Sequence, residues 1–133
     1  MLVYQKQLLK PITLNFALNN YAFSDAAAKD IFLVTDEDRD ATSGDTYSSI
    51  LTQLNSADTL LHVLVDCDLR DAGGASAIGI NSEGAAFIAD GVGGFTESAG
   101  GYVLSAKGST LPHYINLALA TGGTVWDLDQ LRA

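Results

Sequence analysis

The feature that most constrains this chain is a pair of apolar runs, Ile31–Thr35 (IFLVT) and Leu60–Val65 (LLHVLV), with a helical pattern between them. The first is bounded by Lys29–Asp30 and by four acids in the five positions after Thr35. An apolar, β-branched run of this kind reads as a strand buried on both faces, the habit of central parallel strands. Between the runs Asp45 can serve as an N-cap. Tyr47, Ile50, Leu51 and Leu54 then fall at i, i+3, i+4 and i+7, the apolar stripe of an amphipathic helix. Strand, helix and strand in this span make a βαβ unit, whose crossover is expected to be right-handed. The fold class is therefore α/β, a short parallel sheet with flanking helices.

The flanks are less decisive. In residues 12–23 the apolar positions fit one helix face with Pro11 in the first turn, and they also alternate as a strand would. Residues 68–108 hold most of the thirteen glycines. Their short alternating runs, Ala77–Ile80 and Ala85–Ala89 around a turn at Ser82–Gly84, predict a β-hairpin in a glycine-rich insertion, not a second domain. A helix returns after Thr110, a candidate cap, with Leu111, Tyr114, Ile115 and Ala118 as its expected buried face and Gly122 where a C-terminal cap belongs. Thr124–Trp126 reads as a last strand, with Trp126 as core, and Asp127–Leu131 as a final helical turn.

With 133 residues and 47% hydrophobic content, the chain is one globular domain. Its net charge of −9, seven basic residues against sixteen acids, argues against nucleic acid and against anionic membrane surfaces. No apolar run approaches the roughly 20 residues of a bilayer span, and the opening MLVYQKQLLK lacks the features of a signal peptide. Cys67 is the sole cysteine and reads as a buried free thiol.

Catalytic patterns are missing. There is no G-x-S-x-G elbow, no H-E-x-x-H and no Cys/His ligand spacing. His62 lies inside an apolar strand and reads as a core or sheet-face residue; His113 falls in a first helical turn and is expected to be exposed. The acidic loop after Thr35 is the place for a cation. Asp36, Asp38 and Asp40, with Glu37 and Asp45, are the candidate ligands for Ca²⁺, which tolerates irregular oxygen ligands, although the spacing is not that of an EF-hand. Asp36, Asp66 and Asp68 are expected to crowd the C-terminal edge of the sheet, where a bound cation or raised carboxylate pKa values would relieve the repulsion.

Four stretches together carry a family resemblance: AAAKDIFLVTDEDRD, ILTQLNSADTLLHVLVD, LPHYINLALATGG and TVWDLDQLR. In this order they resemble the C-terminal half of a von Willebrand factor A domain, of the type found in bacterial exported proteins. The resemblance spans nearly all of residues 12–133 and implies a partial Rossmann-like fold. It also implies an extracellular or cell-surface setting, helix for residues 12–23, and a third metal-loop role for Asp36 in holding Mg²⁺ or Mn²⁺. The family's DxSxS segment has no counterpart here, so residues 1–133 read as a single, truncated A-like domain whose cation shell is incomplete.

The function expected from these readings is a non-catalytic A-like binding or adhesion module with a degenerate divalent-cation site. The alternative is a structural or self-assembling domain with no small ligand; a carboxylate-dependent hydrolase ranks last. The partner expected is a protein or a second copy of the chain. With the family's first strand missing, the apolar edge of Ile31–Thr35 needs cover. Either Leu2–Leu9 folds back along it, or two chains pair edge to edge in a homodimer, and the dimer is the preferred expectation.

Overall fold

The computed structural model describes residues 2–4, 29–36, 46–108 and 110–132. Residues 12–23, Glu37, Asp38, Asp40 and Asp45 lie outside that set. Among the described residues ten strands run in chain order: β1 (Leu2–Tyr4), β2 (Lys29–Val34), β3 (Thr59–Val65), β4 (Cys67–Arg70), β5 (Ser76–Ala77), β6 (Gly79–Asn81), β7 (Ala85–Ala89), β8 (Phe95–Ala99), β9 (Tyr102–Ala106) and β10 (Thr124–Asp127). Helix α1 spans Tyr47–Ser56. A π-helical turn, Leu111–Ile115, leads into α2 (Asn116–Ala120), and α3 is Leu128–Arg132.

The protein is α/β, with a mixed sheet in place of a short parallel one. Seven strands form the main sheet in the order β1-β2-β3-β10-β6-β7-β8. The first four are mutually parallel, and β10 then pairs antiparallel with β6. Strands β6, β7 and β8 of the glycine-rich segment are thus part of the main sheet. Its hairpin pairs Gly79 with Phe87 and Ile80 with Ala86, and the turn carries Gly84 at φ 88°, a conformation that favours glycine. Ala77 departs from the expected hairpin. It belongs to β5, in a second sheet of order β5-β4-β9.

The β2 edge is occupied. Leu2, Val3 and Tyr4 pair in parallel with Phe32, Leu33 and Val34, so β2 has a neighbour on each side. Leu2–Tyr4 thus takes the Phe32–Val34 part of the edge on which the homodimer was expected, in the manner of the fold-back alternative.

Helix α1 starts one residue later than the Asp45 cap implies. Thr46 accepts from the Ser49 N–H and the Ser49 side chain reciprocates on the Thr46 N–H, a capping box. Ile50 and Leu54 are buried, and Tyr47 and Leu51 pack beside them. After the π-helical turn, α2 ends in a full Schellman motif. Gly122 stands at φ 88° with its N–H on Leu119 O, and the Gly123 N–H reaches Ala118 O at 3.0 Å. Thr110 is helical and makes no side-chain cap, and Leu111 is exposed; Tyr114, Ile115, Leu117 and Ala118 form the buried face. The wider π-turn shifts the helical phase by about one residue, which rotates Leu111 away from the sheet.

Both runs that suggested two-faced burial bury one face only. Ile31, Leu33, Leu61, Val63, Val65 and Val125 point into a single core shared with α1, α2 and the second sheet. Phe32 and Leu60, pointing the other way, are 37% and 38% exposed. The cause is topological. The steps β2 to β3 and β3 to β10 move in the same direction across the sheet, and right-handed crossovers then place α1 and α2 on the same side. Among the described residues, only the short α3 reaches the opposite face.

Candidate functional site

The face opposite the core, open among the described residues, carries a row of ring side chains set by strand register. Phe32 on β2 pairs with His62 on β3, and their rings stack at 4.6 Å with planes 20° apart. That spacing is close to the separation of adjacent strands, so the two rings stand upright on the sheet with their faces against each other. On β10, Trp126 sits opposite Gly79 of β6. A Cβ at Gly79 would lie 2.4 Å from Trp126 Cε3, so the indole lies across space that only glycine leaves free. Phe87, paired across from Gly79, stacks with the indole at 5.4 Å and 13°, and Phe95 meets Phe87 edge-on. Trp126 is therefore a half-buried member of this row, not core.

A polar chain ties the row together. The Thr124 N–H donates to His62 Nδ1 at 3.1 Å, so Nδ1 is an acceptor and the neutral ring carries its proton on Nε2. Nε2 lies 2.7 Å from Asp30 Oδ1. Thr124 Oγ1 accepts from Trp126 Nε1 at 2.7 Å and gives its own hydrogen to Nδ1, also at 2.7 Å. Asp30, His62, Thr124 and Trp126 thus form one line of hydrogen bonds across β2, β3 and β10. His62 is a sheet-face residue, as its place in the run suggested; His113 is half-buried, not exposed.

Next to this line is a hollow of about 410 Å³, bounded by Phe32, His62, Leu64, Thr124, Trp126 and Leu131. Leu131 of α3 closes one side and is itself 45% exposed. Another hollow, of about 400 Å³, lies by the hairpin turn and is lined by Glu83, Gly84, Ala85, Glu97, Ser98 and Ala99. Among the described residues its lining is small side chains and two acids, with no ring.

The acidic edge is arranged differently from the expectation. Asp36 follows β2 and Asp66 follows β3, but Asp68 belongs to β4, where it is bonded to Arg70 at 2.8 Å. Burial, together with the hydrogen bond and charge of Asp129, raises the Asp66 carboxyl above the ordinary carboxylate range, one of the expected forms of relief. Asp129 moves the other way because Arg132 holds it. Asp127 is buried and caps α3 through the N–H groups of Asp129 and Gln130. Asp36 Oδ1 is buried without a hydrogen-bond partner, an oxygen that a cation could use. Arg132, however, lies 3.8 Å from Oδ2, and among the described residues no three acid, histidine or cysteine groups converge on one point. These residues supply one ligand, not a coordination shell.

No protein-family model matches the chain, and no curated protein and no solved structure matches it either.

Proposed function

We propose that the chain is a non-catalytic, von Willebrand A-like binding module whose ligand or partner seats on the open aromatic face of the main sheet. The observation that carries this reading is the apolar hollow of about 410 Å³ beside the Asp30–His62–Thr124–Trp126 line. Exposed apolar surface of this kind marks interaction sites more often than it is left idle. The acidic stretch from Asp30 to Asp71 favours basic or neutral partners over anionic ones.

The hydroxyl–imidazole–carboxylate connectivity invites comparison with an acyl-transfer relay. Here it serves as a clasp. The Nδ1 lone pair that a general base would use is shared with the Thr124 N–H, and Thr124 Oγ1 is also held by Trp126 Nε1.

Two measurements test the reading. Nile red, a neutral dye, is expected to bind the folded chain saturably, one molecule per chain. A Phe32→Ser, Leu131→Ser double variant is expected to lose that binding, while Val92→Ser, which removes an 88%-exposed side chain on a hairpin loop, retains it. Equal dye binding by the double variant refutes the placement. Hydrolysis of p-nitrophenyl acetate is expected to be the same in Thr124→Val as in the parent chain, and a Thr124-dependent esterase activity refutes the non-catalytic part.

A further inference from the structure

We infer that the hollow on the open face selects a neutral, ring-bearing apolar molecule over carboxylates and over quaternary ammonium ions. This inference rests on the binding reading above and adds the chemical class of the ligand.

The first ground is polar saturation. Among the described lining residues three groups could address a ligand: the His62 imidazole, the Thr124 hydroxyl and the Trp126 indole N–H. Nε2 is held by Asp30, Nδ1 by Thr124, and the indole N–H by Thr124 Oγ1. A ligand group that needs a donor would give up its water and find no free N–H or O–H on these three side chains.

The second ground is charge. Among the described residues, no lysine or arginine lines the hollow. Arg132, on the same short helix as Leu131, is engaged by Asp129 at 2.6 Å and faces Asp36 at 3.8 Å. A carboxylate entering here would meet no counter-ion among the described residues, on a chain of net charge −9.

The third ground is the geometry of the rings. Cation recognition uses ring faces, where the quadrupole is negative. Phe32 and His62 stack face to face with planes 20° apart, which takes one face of each ring out of reach of a cation. Ring edges carry positive potential and pair with the face of another aromatic ring. The indole, lying across Gly79, adds a broad apolar surface, and Leu64 and Leu131 supply aliphatic contact. A volume of about 410 Å³ is within the range of small-molecule pockets.

Trp126 is the only tryptophan in the sequence, so the site has its own reporter. The full chain is titrated with 1-N-phenylnaphthylamine, a neutral probe that accepts energy from tryptophan. Saturable quenching of Trp126 at one probe per chain is expected. Naphthalene should displace the probe roughly tenfold more effectively than decanoate or benzyltrimethylammonium, the factor set by about one uncompensated polar group. Leu131→Asp and, separately, Phe32→Ser are each expected to weaken the probe roughly tenfold while Trp126 emission in the free chains is retained. Displacement by decanoate or by the ammonium ion as strong as that by naphthalene overturns the ligand class and leaves the binding surface standing. Absence of any Trp126 response to all four compounds overturns both. Probe fluorescence that rises without Trp126 quenching, or that survives both substitutions, also overturns the inference, because the probe then sits elsewhere.

Discussion

Substituting Gly123 by alanine separates two explanations of why a glycine stands there. Gly123 does not need a left-handed backbone; only its neighbour Gly122 has φ 88°. On conformational grounds alone Gly123→Ala should be neutral, or stabilising by about 0.4–1 kcal/mol through the unfolded state. The packing says the reverse. A Cβ at Gly123 would lie 1.8 Å from Leu61 O and 2.7 Å from Leu61 C, where ordinary contact begins at 3.4 Å. Both obstructing atoms are backbone of the central strand β3, so no side chain can rotate away. Relief requires the α2–β10 turn to lift off β3. That movement strains the Leu61 N–H to Thr121 Oγ1 bond (2.9 Å) and the Gly123 N–H to Ala118 O bond (3.0 Å). Overpacking costs about 1–3 kcal/mol and each hydrogen bond about 1 kcal/mol, so the loss expected is about 3–5 kcal/mol. Two comparators calibrate it. Gly122→Ala, with only Leu60 Cδ2 at 3.5 Å, and Gly74→Ala, with nothing within 4 Å at φ 85°, should each cost about 1–2 kcal/mol from backbone strain alone. Urea unfolding followed by far-ultraviolet circular dichroism measures all three. A Gly123→Ala chain as stable as the parent, or more stable than Gly122→Ala, would falsify the close-approach argument.

Other outcomes follow from the same structure. Gly79→Ala should cost about 1–3 kcal/mol, because the Trp126 indole has to move off the strand, and should shift the emission of the sole tryptophan; an unchanged spectrum contradicts the contact. Burial, with Asp127 and Asp66 nearby, pushes the Cys67 thiol up to about 12, so the native chain should resist Ellman's reagent at pH 8 and react once unfolded. Asp66 is raised in the fold, so its contribution to stability is present at low pH and lost as pH rises through its folded value. Asp66→Asn should therefore gain up to about 1 kcal/mol at pH 7 and nothing at pH 3, and a gain that is the same at both pH values refutes the Asp66–Asp129 coupling. Asp71 and Asp90 are lowered by backbone hydrogen bonds from Ala75 and from Val92 and Gly94. Their share acts in the opposite sense and fades as pH falls below the ordinary carboxylate range.

Local pattern and cross-strand packing divide what the sequence reveals. β2, α1 and β3 announce themselves because each is a continuous run whose period can be read directly, and the Gly84 turn is readable from its residues. The glycine-rich segment hid its membership of the main sheet because Gly79 contributes no side chain of its own. Its role is to leave room for Trp126, 47 positions later. The site was invisible for the same reason: Thr124 and His62 are separated by 62 residues, and no spacing rule connects them. Phe32 and Leu60 looked buried because composition does not say on which side a crossover falls. Leu111 was misplaced because a helical wheel assumes 3.6 residues per turn and the first turn is π-helical. The acidic loop drew attention through its charge, yet of its candidate ligands only Asp36 lies among the described residues.

The position of β10 has a consequence for how the chain becomes a folded protein. β10 is the seam between the parallel strands β1-β2-β3 and the antiparallel strands β6-β7-β8, and it is formed by Thr124–Asp127. During synthesis the hairpin strands can pair as soon as they emerge, since their contacts are local. The main sheet cannot close until synthesis has passed residue 127. Until then β3 and β6 each present an unpaired inner edge, one of them the apolar run Leu60–Val65. A nascent chain of this protein therefore spends the interval before β10 arrives with two sticky half-sheets, the state in which chaperone engagement or misassembly with another nascent copy is decided.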